Sequence, residues 1–86
     1  MFARRLRLTL HLTGSEAPVP AAWLEQFFMR DFTGRSGFEN TLVAGDGLLE
    51  TGLEVSAEAV QEQFEQWVRG RRMIPPEASV VVEETM

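Results

Sequence analysis

From Arg5 to Thr13 polar and apolar residues alternate without a break, with Leu6, Leu8, Leu10 and Leu12 on one side and Arg5, Arg7, Thr9, His11 and Thr13 on the other. A repeat of two is that of a strand with one buried face, because successive side chains leave a pleated backbone on opposite sides. Gly14-Ser15-Glu16-Ala17-Pro18 interrupts the alternation. Pro20 suits the first position of a helix, where the amide hydrogen it lacks would have no partner. The period then becomes helical over Ala21 to Phe32: Trp23, Leu24, Phe27, Phe28 and Phe32 form an apolar stripe, and Glu25, Gln26 and Arg30 take the other side. Gly34 and Gly37 close this helix and bracket the polar loop Thr33-Gly34-Arg35-Ser36-Gly37.

Alternation returns, less regularly, from Phe38 to Val43. Ala44-Gly45-Asp46-Gly47 then carries an Asp-Gly hairpin signal, and Leu48 to Val55 sets Leu49, Thr51, Leu53 and Val55 against Glu50, Gly52 and Glu54. Ser56 is suited to cap a second helix, with Glu58 in its first turn. Val60, Phe64, Trp67 and Val68 follow at helical spacing, and Gly70 ends the run. Arg69, Arg71 and Arg72 sit at that helix's C-terminal end, where the helix dipole favours cations. After Met73-Ile74-Pro75-Pro76, three consecutive valines between polar residues mark Ser79 to Glu84 as a last strand.

The order strand, helix, strand, strand, helix, strand predicts one α+β domain over residues 1–86, a ferredoxin-like βαββαβ plait. Right-handed crossovers would give a four-stranded antiparallel sheet in the order 4-1-3-2 with both helices on one face. The leucines of the first strand and Leu49, Thr51, Leu53 and Val55 would then face the helices. Arg5, Arg7, Thr9 and His11 would share the open face with Glu50 and Glu54, so that opposite charges meet across central strands.

Composition narrows the possibilities. The 86 residues are 44% hydrophobic and 24% charged, within the range of chains that fold into a globular core. There is no cysteine, which removes disulfides, thiolate metal sites and thiol catalysis and fits a cytoplasmic setting. No apolar run approaches the length needed to span a bilayer. Arg4, Arg5 and Arg7 precede an alternating segment instead of an apolar block, so the N-terminus reads as a strand and not as a signal peptide. Net charge is −5, all eight basic residues being arginine; such a field argues against nucleic acid and against anionic membrane surfaces.

Few residues suggest chemistry. His11, the sole histidine, could act as a general base on the open face but reads as a surface histidine in a salt-bridged sheet. One histidine without cysteine predicts no metal site. The loop Thr33–Gly37 has the glycines and hydroxyls of a phosphate cradle but neither of the established glycine spacings, and it follows a helix instead of opening one. Glu50, Glu54, Glu58, Glu62 and Glu65 read as solvated faces, and Trp23, Phe27, Phe64 and Trp67 as core.

Signature residues of plait families are absent. RNA-recognition domains need aromatic rings where this chain has Thr9, His11, Glu50 and Glu54. Acylphosphatases carry an arginine-bearing phosphate loop where Gly14–Pro18 stands. Heavy-metal carriers and bacterial ferredoxins need cysteines. The expectation is therefore a non-enzymatic interaction or regulatory domain without catalytic residues, cofactor or metal. It would use Arg5, Arg7, Thr9, His11, Glu50 and Glu54, or a sheet edge, to bind a protein partner or a second copy as a homodimer. The alternatives are a small-ligand sensor and a cofactor-free dimeric α/β-barrel enzyme of the monooxygenase kind, for which His11, Asn40 and Trp67 are the candidate residues. The enzyme needs a cavity between sheet and helices.

Overall fold

The computed structural model describes residues 4–31, 38 and 40–85, in one α+β arrangement of two helices and an open antiparallel sheet. In chain order the elements are β1 (Arg4–Leu12), β2 (Ser15–Pro18), α1 (Ala21–Glu25) with a π-helical continuation (Gln26–Asp31), β3 (Thr41–Gly45), β4 (Leu48–Thr51), α2 (Ala57–Gly70) and β5 (Ser79–Thr85). The proposed loop Thr33–Gly37 lies outside the described residues, as do the expected end of the first helix at Phe32 and Glu39.

Strand β1 is the spine of the sheet. Along one edge it pairs with β5, from Arg5↔Thr85 to His11↔Ser79. On the other edge two strands share its length end to end: β4 takes Arg4 to Arg7 and β2 takes Thr9 to Leu12. Strand β3 then pairs with β4, with a bulge between Val43 and Gly45. The observed order thus differs from the four-strand expectation of 4-1-3-2 by an added strand. Ser15–Pro18, read from the sequence as a break, turns back at Gly14, whose φ of 79° suits glycine, and pairs with the strand it has just left.

The alternation of β1 is realised. Leu6 and Leu8 are fully buried and Leu10 nearly so, and they join Leu49 and Val80 of the flanking strands and residues of both helices in one apolar core. From the helices come Leu24, Phe27 and Phe28 on one side and Val60, Phe64 and Val68 on the other. The aromatic rings pack directly: Phe27 meets Phe28 edge-on at 4.7 Å and Phe64 at 5.2 Å, and the Phe28 and Phe64 rings stack at 6.4 Å. Such pairs contribute about 0.5–1.5 kcal/mol beyond the burial of their area.

Each helix start has its own device. In α2 the Ser56 hydroxyl accepts the Ala59 amide at 3.3 Å, as the sequence predicts, and Glu58 lies in the first turn. In α1 the cap position is Pro20, which has no side-chain acceptor, and the turn between β3 and β4 supplies one: Asp46 Oδ1 accepts the Ala21 amide at 2.8 Å. The first helix departs from the regular α-helix predicted over its full length, widening to a π-helix from Gln26. Within it Phe27 and Phe28 are both buried.

Strand β4 is shorter than the expected Leu48–Val55. It ends at Thr51, and the chain turns through Gly52, Leu53 and Glu54. Leu53, expected to face the helices, is instead 68% exposed, whereas Val55 reaches the core from beyond the turn. Gly70 is the last residue of α2, but the left-handed residue after the helix is Arg72, at φ 56°. Its neighbour's amide, that of Met73, donates back to the Val68 carbonyl at 2.9 Å. No helix among the described residues is long and apolar enough to cross a membrane.

Candidate interaction surface

The face of the sheet opposite the core is built by the polar half of the β1 alternation and its cross-strand neighbours. Four rows cross it. Thr85, Arg5, Glu50 and Leu42 form the first, and Glu83, Arg7 and Leu48 the second. Val81, Thr9 and Pro18 form the third, and Ser79, His11 and Glu16 the fourth.

Of the six residues expected on this face, the structure brings five together. Arg5 and Glu50 are direct cross-strand partners, with Nε donating to Oε2 at 3.2 Å. The pair is exposed enough at Arg5 to contribute only roughly 0.2–1 kcal/mol, and its effect is to fix where charge sits. Arg7 does not oppose a glutamate of β4, because register places it between Leu48 and Glu83. His11 is half-exposed, with Nδ1 3.4 Å from Glu16 Oε1, a partner supplied by the unforeseen β2. Thr9 lies between them.

Glu54 belongs elsewhere, a correction with a simple cause: the strand has ended three residues earlier. Its Oε1 accepts from Asn40 Nδ2 at 2.7 Å, fastening the turn after β4 to the residue before β3. That hydrogen bond, with one from its own backbone, holds the Glu54 carboxyl below its ordinary value. The three residues considered for an enzyme are dispersed. Asn40 is committed to Glu54, Trp67 packs on Phe27 at 5.2 Å under the Arg71 guanidinium, and His11 stands at the opposite end of β1.

Sequence reasoning missed the apolar members of the face. Leu42 and Leu48 are 42% and 37% exposed, large side chains left in contact with water beside the arginines. The register explains them: both fall on the same side of β3 and β4 as Glu50 and not as Leu49. With Arg5, Arg7, Ala44, Glu50 and Thr85, Leu48 lines an open groove of about 400 Å³. A second cleft, about 370 Å³, lies past the C-terminal end of α2 between Arg69, Arg72, Ile74 and Pro76. Arg69 is held there by Glu65, at 2.7 Å, and by the Pro76 and Ala78 carbonyls.

Among the described residues no group of three or more His, Asp or Glu is placed to hold a metal ion. No protein-family model matches the chain, and searches of curated proteins and of solved structures return no match.

Proposed function

We propose that the chain is a ferredoxin-like plait elaborated by β2 and used as a protein-interaction or regulatory domain, its binding surface being the uncovered face of the sheet. With β2 set aside, β5, β1, β4 and β3 stand side by side in the sequence that the plait requires, which supports the fold reading. The observation that carries the functional reading is the combination on one face of the half-exposed Leu42 and Leu48 with the arginines and glutamates around them. Apolar side chains rimmed by ordered charges are the anatomy of a protein interface, where the former supply affinity and the latter orientation. The rings of Phe27, Phe28, Phe64 and Trp67 touch one another in the space where the enzyme alternative would need its cavity, and this favours the interaction reading.

Radical footprinting tests it. Oxidation of Leu42, Leu48 and His11 is compared between the dilute purified chain and the chain inside the cells that natively produce it. The reading expects protection of these three in cells with Leu53, exposed on a different surface, oxidised equally in both. Equal oxidation of all four in both settings would refute it.

A further inference from the structure

The three strands that border the sheet treat their outer backbone groups differently. On β5 the outward Val82 amide donates to Gln61 Oε1 of α2 at 3.4 Å, and Glu83 and Glu84 are exposed, Glu84 in an ion pair with Arg4 at 3.3 Å. On β2 the Val19 amide donates to the Leu8 carbonyl, so alternation turns the backbones of Glu16 and Pro18 outward. One brings a charge and the other has no amide hydrogen. Both edges therefore carry the devices that prevent strand addition.

Strand β3 has neither kind of side-chain protection, and its bulge, between Val43 and Gly45, lies beyond Leu42. Its five residues, Thr41-Leu42-Val43-Ala44-Gly45, include no charge and no proline, and among the described residues it pairs with β4 alone. The Gly52 amide donates to the Asn40 carbonyl at 2.9 Å, which makes those two a hydrogen-bonded pair. Alternation then directs the N–H and C=O of Thr41 and Val43 away from β4. Leu42, between them, is 42% exposed on the open face.

We infer that the β3 edge is the site at which a second copy of this chain adds, antiparallel, about a two-fold axis near Leu42. An antiparallel edge is complementary to itself, since each outward N–H meets the carbonyl of the symmetry-related strand. Charge selects this edge over the others. Pairing two β5 edges would bring the Glu83 carboxylates and the Arg4–Glu84 ion pairs of both copies together, whereas two β3 edges meet without charge and set Leu42 against its symmetry mate. The result is one sheet running through two copies, with the open faces described above joined into a single surface. Such pairing needs only the backbone groups of β3 and leaves the face free to bind.

The test is light scattering across a concentration series, with amide hydrogen exchange followed on the same samples. The expected result is a dimer whose fraction rises with added salt, because each copy carries −5 and salt screens their repulsion. Exchange at Thr41 and Val43 should slow as the dimer forms. Leu42→Lys, at an exposed position that the fold tolerates, should raise the dimer dissociation constant roughly tenfold or more by facing two cations across the axis. Leu53→Lys should leave it unchanged. A chain that stays monomeric throughout overturns the inference and leaves the face reading intact. So does a dimer in which the Val43 amide exchanges as fast as in dilute solution, since that dimer would use another surface.

Discussion

The backbones of Leu8 and Gly47 are joined by a 2.7 Å hydrogen bond, Leu8 amide to Gly47 carbonyl, and Val19 closes the pair into a ring. The Gly47 amide donates to Val19 at 2.6 Å and the Val19 amide donates back to Leu8 at 3.0 Å. This ring is the point at which β2 and β4 meet end to end on β1, so one turn residue fixes three strands. Gly47 has φ 68°, and a Cβ there would lie 2.7 Å from the Leu8 carbonyl oxygen and 2.9 Å from Pro18 Cβ. Gly47→Ala is therefore expected to cost at least about 2 kcal/mol, left-handed strain and a backbone clash together. The measurement is the urea midpoint of the variant against the parent chain.

Thr51 should respond in the opposite direction. It is fully buried in β4, and its hydroxyl has no hydrogen-bond partner; the same holds for the hydroxyl of Thr41, directly across from it. Thr51→Val keeps the shape and removes a desolvated polar group, which is expected to stabilise the fold by about 1 kcal/mol. Thermal unfolding followed by circular dichroism would show a higher midpoint.

Arg72 is a second place where stability can be gained. Its φ of 56° follows the end of α2, in the position where glycine is commonest. Arg72→Gly relieves the left-handed strain and loses some of the gain to the freer unfolded chain, for a net stabilisation of roughly 0.5–1 kcal/mol. Denaturant titration of the two proteins side by side checks the sign.

The Asn40–Glu54 clasp makes a pH prediction. Because the folded-state value of the Glu54 carboxyl is lowered, the clasp contributes its stability above the ordinary carboxylate range and loses it as pH falls through the lowered value. Asn40→Ala removes the main cause, so the Glu54 titration followed by NMR should move up toward the ordinary carboxylate value. An unmoved midpoint would assign the lowering to causes other than Asn40.

Much of this architecture is legible in the order of residues, and the exceptions have physical causes. The alternation of β1, the Asp-Gly turn and the Ser56 cap are local signals, and each appears where its pattern places it. Strand β2 was not legible, because Ser-Glu-Ala-Pro has no strand propensity of its own and is held by pairing with β1. The second role of Asp46, capping α1 from 25 residues away, depends on the packing of a turn that no local pattern records. At the candidate surface, Arg5, Arg7, Thr9 and His11 could be read from periodicity alone. Leu42, Leu48 and the displacement of Glu54 followed only from register and from where β4 stops.

Photo-crosslinking in the native cells tests whether the open face binds a protein, with a photoreactive residue replacing Thr9 at the middle of that face or Gln63 on the exposed side of α2. A defined crosslinked species is expected from position 9 and none from position 63. No product from position 9, or the same product from both positions, would contradict binding at that face.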